Sequence, residues 1–204
     1  MALNFDFSKV VGVCISHEHL DHSKYLRGLM NGGIPAFATT GTFESLNIHE
    51  YGQHHLPYRS KTFIGQFEVT AYQAIHDAKE PASFLIEHPE MGRMLFVTDT
   101  AQFNYAFKSI NHLLIEANYD PDIVVKNAVQ NTNYYNNIKR LMKTHMSLKE
   151  CELACQNNVS EATKNIILIH LSDGNSDRSM FQKRIKMRTG KPVYVADETF
   201  ELEL

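Results

Sequence analysis

Four potential metal ligands occur within six residues, directly after an apolar run over 10–15. They are His17, His19, Asp21 and His22. Side chains alternate along an extended chain, so the first two histidines are expected on the same side. A turn after this pair would direct the aspartate and the last histidine toward a second point. The spacing therefore predicts a loop that supplies ligands to two metal ions, whereas the alternative is a solvated, histidine-rich loop.

Three further residues of ligand type stand at the ends of apolar runs farther along the chain. They are His76, Asp99 and His170. A rigid sheet fixes side chains at its strand ends more accurately than a free loop does. Each of these residues alone has an ordinary alternative, as a polar residue that ends a strand. Together with the loop they provide seven ligands, too many for one tetrahedral site, which favours a two-metal centre.

The elements that must position these residues alternate between strand and helix. The pattern predicts strands at 9–15, 34–38, 62–64, 67–75, 83–87, 93–98, 111–117, 166–169 and 193–196. It predicts helices at 23–31, 40–50, 147–156 and 176–188, and a helical or mixed segment at 121–143. This alternation is typical of a layered α/β architecture. With 204 residues, of which 43% are hydrophobic, we expect one domain over residues 1–204.

The other histidines lack this context. His54 and His55 lie in a predicted polar connection, and neither stands at a strand end beside a carboxylate. We therefore interpret this pair as a surface or substrate-facing feature. His49, His88 and His112 also lack neighbours of ligand type, and we interpret them as surface or core residues.

Composition bounds the class of protein. No apolar run approaches the about 20 residues that a membrane span needs, and no targeting segment opens the chain, so we expect a cytoplasmic protein without a membrane partner. Cys14, Cys151 and Cys155 form no C-x-x-C pair and are interpreted as core residues in a reducing compartment. A net charge of -3 argues against a large basic surface. Bound divalent ions would add positive charge, so an anionic substrate is not excluded.

The H-x-H-x-D-H spacing after a strand resembles the signature of the metallo-β-lactamase superfamily. Further motifs are similar to the YycJ/WalJ-like branch of these hydrolases, which is related to ribonuclease Z. They are H-D-A-K-E-P at 76–81, V-T-D-T at 97–100, L-I-E-A-N-Y-D at 114–120, T-H-M-S at 144–147 and I-H-L-S at 169–172. The resemblance covers residues 8–197. It implies an αββα metallo-β-lactamase-type sandwich.

The resemblance also implies a dinuclear site. Metal one would take His17, His19 and His76, and metal two would take Asp21, His22 and His170, with Asp99 bridging. Mixed imidazole and carboxylate ligation favours two zinc ions, with manganese or iron as alternatives. Asp77 and Glu116 are candidate acceptors for the outward N–H groups of ligand imidazoles. For these two residues the alternative is an ordinary carboxylate in a loop or at a strand end.

The T-H-M-S motif contains a candidate general acid, His145, which precedes a predicted helix capped by Ser147. It matches a G-H-x-S-type element that the branch shares with ribonuclease Z, although Thr144 replaces the glycine. The resemblance implies that this histidine protonates the leaving oxygen, and that His145 and Asp21 are the catalytic residues. Two metal ions activate a hydroxide and stabilise charge, but they do not supply this proton. The alternative is a solvated histidine at a helix start.

By the same resemblance, the activity would be that of a phosphodiesterase or nuclease, similar to a DNA exonuclease, with nucleic acid as substrate. Two basic groups could hold backbone phosphates, or could be solvated helix faces. One is Lys139, Arg140 and Lys143, and the other is Lys183, Arg184, Lys186 and Arg188. The alternatives are a thioester or lactone hydrolase on the same fold, or a degenerate metal-binding subunit.

The start of the chain generates a first prediction. The resembled family places a β-hairpin region, a strand and a helix before the H-x-H-x-D-H strand, whereas about nine residues stand there in this sequence. The sandwich is therefore expected to be incomplete at its amino end. An uncovered sheet edge favours self-association or a partner chain. Light scattering at micromolar concentration should detect a dimer or larger species, and a monodisperse monomer would contradict this expectation.

Overall fold

The computed structural model describes residues 6–49, 51–130 and 135–204. The strands in this part of the chain are β1 (Val13–Cys14), β2 (Ala36–Ala38), β3 (Gln53–His55), β4 (Lys61–Ile64), β5 (Phe67–Gln73), β6 (Ala82–His88), β7 (Gly92–Val97), β8 (His112–Glu116), β9 (Asn165–Ile169) and β10 (Val193–Val195). The helices are α1 (Leu20–Ser23), α2 (Leu26–Asn31), α3 (Thr40–Ser45), α4 (Pro121–Gln130), α5 (Tyr135–Thr144), α6 (Leu148–Asn158) and α7 (Arg178–Thr189). Each helix in the described ranges is too short or too polar to cross a lipid bilayer.

Two sheets organise these elements. The small sheet is parallel and has the order β1-β2-β3. The large sheet has the order β10-β9-β8-β7-β6-β5-β4, and its strands pair in parallel from β7 to β10 and antiparallel from β4 to β7. The carboxyl ends of the parallel strands therefore meet along one edge. Loops that follow these strands can converge on a common site.

Side-chain alternation along the large sheet separates its two faces. On one face, Leu85 packs with Cys151 of α6 and Phe181 of α7. On the other face, the neighbouring Phe84 packs with Phe37 of the small sheet. The two sheets are thus stacked on each other, and two helices cover the outer face of the large one.

The outer face of the small sheet is covered in the same way. Ala36 and Ala38 of β2 pack with Leu26 of α2 and Phe43 of α3, whereas Phe37 between them faces the large sheet. The order of layers is therefore helices, small sheet, large sheet, helices. This order confirms the predicted αββα sandwich.

The sequence pattern is wrong about two elements of the small sheet. The strand predicted at 9–15 is reduced to Val13–Cys14, and Gly12 lies so close to Phe37 that a Cβ at this glycine would be 2.6 Å from the ring. His54 and His55 belong to β3 rather than to a connection. Pairing with β2 and stacking of the His54 ring on Phe37, with centroids 4.8 Å apart, hold this polar strand in place.

Two predicted helices also differ in extent. The helix predicted at 23–31 is divided into α1 and α2 and begins earlier, at Leu20. The helix predicted at 40–50 ends at Ser45, because Asn47 adopts a left-handed backbone with φ of 51°. The remaining predicted strands and helices are present, with ends shifted by one or two residues, and the mixed segment contains α4 and α5.

The loop that carries His76, residues 74–81, is bound to the amino end of α3. The Glu80 carboxylate accepts a hydrogen bond from the backbone N–H of Gly41 at 2.5 Å, and the Glu80 carbonyl accepts one from the Thr39 hydroxyl at 2.6 Å. These bonds fix the path of the chain between β5 and β6, and with it the position of the histidine.

A second prediction tests this attachment. In Gly41→Ala the new Cβ would lie 2.6 Å from the Glu80 Cβ, so we expect the free energy of unfolding to fall by about 1–3 kcal/mol. The matched control is Gly28→Ala in α2, where, apart from the neighbouring backbone of the helix, no atom of the described residues lies within 4 Å of the new Cβ. That change should be neutral or stabilising by up to about 1 kcal/mol. Urea unfolding measures both, and equal midpoints for the two variants would contradict the close contact at Gly41.

Candidate metal centre

The structure brings the seven residues predicted as ligands into one cluster, to which separate segments of both sheets contribute. Two of them follow β1, two lie in α1, one is in the loop after β5, and the others follow β7 and β9. In chain order they are His17, His19, Asp21, His22, His76, Asp99 and His170. The second histidine pair, His54 and His55, lies outside this cluster.

Two residues of the cluster have an uncommon backbone. Asp99 and His170 follow parallel strands and have φ of 49° and 56°. The left-handed region costs non-glycine residues of order 1 kcal/mol each, although Asp and His tolerate it better than most. Such conformations persist where the surrounding structure enforces them, and they concentrate at functional sites.

The first group of nitrogens belongs to His17, His19 and His76. The Nδ1 atom of His19 lies 3.0 Å from His17 Nε2 and 3.2 Å from His76 Nε2. Ligand nitrogens around a tetrahedral zinc ion are about 3.3 Å apart, given zinc–nitrogen distances of 2.0–2.1 Å. The Nδ1–H of His76 donates to the Thr144 carbonyl at 2.7 Å, so a neutral His76 ring presents the lone pair of Nε2 to the group. A single N–H at His19 Nδ1 could donate a hydrogen bond to only one of the two neighbouring Nε2 atoms. A cation at the centre of the group could bind all three nitrogens.

The second group is Asp21, His22 and His170. The Oδ2 atom of Asp21 lies 3.5 Å from His22 Nε2 and 3.8 Å from His170 Nε2. Asp21 is exposed, so this group is the more open of the two. Its mixture of imidazole and carboxylate ligands also suits a divalent ion.

Asp99 lies between the two groups. Its Oδ2 atom is 3.1 Å from His22 Nε2, and its Oδ1 atom is 3.6 Å from His170 Nε2 and 3.7 Å from His76 Nε2. One carboxylate therefore faces histidines of both groups. This is the geometry that a bridging ligand requires.

Two hydroxyl groups make contacts to the cluster that the sequence does not predict. The Ser16 hydroxyl lies 3.0 Å from His17 Nδ1 and 3.3 Å from His22 Nδ1, so it contacts the outward nitrogens of two histidines. The Thr98 hydroxyl donates to Asp99 Oδ2 at 2.6 Å. Serine and threonine have no characteristic spacing in such roles. Their positions directly before His17 and Asp99 are the only signal that the sequence offers.

The contacts of Asp77 fit the alternative given for it, an ordinary carboxylate in a loop, rather than an acceptor for the outward N–H of His76. Its carboxylate accepts two hydrogen bonds from Arg140, at 2.6 and 3.3 Å, and its Oδ1 atom lies 3.4 Å from the inward Nε2 of His76. The outward N–H of His76 donates to the Thr144 carbonyl instead. Thr144 is the last residue of α5, and the terminal carbonyls of a helix have no partner within it.

The buried Glu116 and the partly buried His145 form a hydrogen-bonded pair beside the cluster. Glu116 Oε1 accepts a hydrogen bond from His145 Nδ1 at 2.8 Å and lies 3.4 Å from the outward Nδ1 of His170. The backbone N–H of Thr100 donates to Glu116 Oε2 at 2.9 Å. His145 Nδ1 is also 3.5 Å from Asp99 Oδ1. The candidate general acid therefore lies against the carboxylate that joins the two groups.

Burial and charge adjust the ionisation of the cluster. Burial lowers the pKa of His17 to about 3 and also lowers the pKa of His76, so both rings are neutral at pH 7, as metal ligands must be. Burial opposes the charged form of His170, but the hydrogen bond to Glu116 and the charge of Asp99 raise its pKa to about 9. Burial likewise opposes ionisation of Asp99. The hydrogen bond from His22 and the charge of His170 outweigh it and lower the Asp99 pKa.

Comparison with known proteins agrees with this geometry. A family described as the β-lactamase superfamily domain matches residues 3–171. The chain belongs to the β-lactamase superfamily. A superfamily relative, the exodeoxyribonuclease YycJ of Bacillus anthracis, is 26% identical over an alignment of 212 residues, and the alignment covers 97% of this chain and 77% of the relative.

Solved structures show the same fold. The metallo-β-lactamase fold protein YhfI of Bacillus subtilis has a TM-score of 0.71 at 16% identity, with 97% of this chain and 79% of YhfI covered. A metallo hydrolase from the archaeon Ignicoccus hospitalis has a TM-score of 0.68 at 14% identity, with 94% and 79% covered. This chain is a hydrolase of the metallo-β-lactamase superfamily with a candidate His/Asp metal site.

A third prediction concerns metal content. Because the cluster contains two groups of candidate ligands and Asp99 faces histidines of both, zinc reconstitution should give two ions per chain by elemental analysis. His76→Ala and His170→Ala should each lower the stoichiometry toward one ion, since each removes a nitrogen from a different group. His49→Ala removes an exposed histidine outside the cluster and should leave the stoichiometry unchanged. Fewer than one ion per chain in the parent, or equal content in all variants, would contradict the two-metal assignment.

Proposed function

We propose that this hydrolase is a phosphodiesterase that cleaves nucleic acid, in the manner of a DNA exonuclease, with two divalent metal ions. The observation that carries the proposal is the pairing of His145 with Glu116 directly beside Asp99. A metal site alone would serve many hydrolytic reactions on this fold. A positioned histidine beside it serves a reaction whose leaving group needs a proton.

The proposed ligands are those that the two groups provide. Metal one would be held by His17, His19 and His76, and metal two by Asp21, His22 and His170, with Asp99 shared by both. We propose zinc for both ions, because imidazole nitrogens predominate, and manganese or iron would fit the same donors. When bound, the ions would supply an activated water and stabilise charge on the phosphate oxygens.

Glu116 and His145 would position and donate the proton that the leaving group needs. Glu116 fixes the ring of His145 through Nδ1, and among the described residues none is hydrogen-bonded to its Nε2. Nε2 is therefore the atom that would hold a proton for the departing alkoxide oxygen. The His145 side chain keeps 14% of its surface exposed, through which a substrate could reach it. Glu116 also faces His170, so it would position a ligand and the proton donor together.

Nucleic acid is the substrate that the surroundings favour. Lys139 and Lys143 line a groove beside His76, together with the ion-paired Arg140, and the two lysines could contact a polyanionic backbone there. The name of the Bacillus anthracis relative, an exodeoxyribonuclease, agrees with this substrate class. We propose single-stranded DNA as the first substrate to assay.

A fourth prediction tests the proton donor by the leaving group. His145→Ala should slow cleavage of natural DNA by about 100-fold to 10,000-fold, because an alkoxide leaves poorly without a proton. The same variant should be little impaired on a p-nitrophenyl phosphodiester, whose phenolate leaves unprotonated, and it should retain both ions by elemental analysis.

The control for this experiment is His49→Ala, which removes an exposed histidine outside the cluster and should leave both rates unchanged. Equal impairment of His145→Ala on the two substrates would refute the role of the histidine. A parent enzyme that hydrolyses thioesters or lactones and no phosphodiester would refute the proposed function itself.

A further inference from the structure

A groove of about 420 Å³ adjoins the cluster of candidate metal ligands on the side of His76. It is called the α5 groove here. One wall is Ile75, His76 and Asp77, and the other is Lys139, Arg140, Lys143 and Thr144 of α5. The hydrogen bond from His76 to the Thr144 carbonyl joins the two walls, so a molecule in this groove would lie at a fixed position relative to the cluster.

The charges that line the α5 groove are unbalanced. Arg140 is held by Asp77 in a two-point ion pair, which neutralises its charge locally and fixes its side chain. Lys139 and Lys143 lie four residues apart on α5 and therefore on one face of the helix. Within the described ranges neither lysine forms an ion pair. The groove thus presents two free ammonium groups on one wall.

The opposite wall offers a different surface. Ile75 lines it with 47% of its surface exposed. An apolar side chain opposite two lysines suits a ligand with an anionic side and an apolar side. A nucleotide has this character, because its phosphate and its sugar or base lie on different sides.

The second basic helix does not offer an equivalent site. In α7, Arg184 forms two hydrogen bonds to Glu152, each of 2.9 Å, and lies 3.5 Å from Asp120. This arginine therefore holds α7 to α6 rather than facing a ligand. Lys183 and Lys186 of α7 are exposed and do not line the α5 groove.

We infer that the α5 groove is the subsite for the strand that flanks the scissile linkage, with Lys139 and Lys143 as the contacts to its phosphates. This inference rests on the proposed function and specifies its substrate class. The enzyme would require a polynucleotide with charged linkages beyond the reacting one. Arg140, fixed by Asp77, is a positioning residue that shapes the wall between these lysines and His76.

The first measurement is binding without cleavage. With the protein metal-free in chelator, a short fluorescent single-stranded DNA is titrated at several salt concentrations. Lys139→Ala/Lys143→Ala should weaken binding about tenfold or more at low salt. The negative slope of log affinity against log salt concentration should become shallower by about 1.4, because each single-strand phosphate contact contributes about 0.7. The matched control, Lys183→Ala/Lys186→Ala, removes the same charge and should keep the parent slope.

The second measurement locates the contact. One neutral methylphosphonate is placed at successive linkages of the DNA, and binding is measured for the parent and the α5 double variant. In the parent, one or two positions should weaken binding. At those positions the variant should lose nothing further, as expected when two changes remove the same interaction. Additive losses at every position would overturn the inference, as would equal slopes for the α5 and α7 variants.

Turnover of the zinc-loaded enzyme distinguishes this inference from the proposed function. The α5 double variant should raise KM on DNA much more than it lowers kcat, because it removes binding to strand that does not react. An enzyme that cleaves DNA with an unchanged KM in this variant would retain the proposed function and overturn the subsite. A parent that binds DNA through the α5 groove but cleaves no phosphodiester would overturn the proposed function and leave the groove as a binding site.

Discussion

The structure depends on the burial of one carboxylate among imidazoles. Asp99 is 2% exposed, and a buried anion is costly unless positive charge or hydrogen bonds compensate it. Thr98, His22 and His170 provide part of that compensation in the protein itself. These residues come from the ends of different elements in both sheets. The charge of the buried carboxylate is therefore compensated only when the small sheet is packed on the large one. Packing of the small sheet on the large one is thus coupled to the polar cluster at their edge.

Much of this site could be predicted from sequence because its chemistry follows short-range rules. Alternation along an extended chain predicts that His17 and His19 lie together, and the end of an apolar run marks Asp99 and His170. The layered fold follows from the order of strands and helices. These features need only a few consecutive residues, and a single sequence displays them.

The features that could not be predicted depend on contacts between distant segments. The Thr144 carbonyl accepts from His76, sixty-eight positions earlier, and any residue at 144 would present the same carbonyl. The polar strand β3 exists because β2 offers it a backbone partner, so its own composition gives no indication of it. The sequence predicts Asp77 as a candidate acceptor for the N–H of a ligand imidazole. In the structure its carboxylate instead forms an ion pair with Arg140 of α5, sixty-three positions later.

The left-handed conformations of Asp99 and His170 have a consequence for the evolution of this chain. Glycine would relieve the backbone strain at either position, but it would remove the side chain that faces the cluster. Selection for thermal robustness and selection for chemistry therefore act in opposite directions at these two sites. A lineage that abandoned catalysis would lose the selection that keeps aspartate and histidine at these two strained positions.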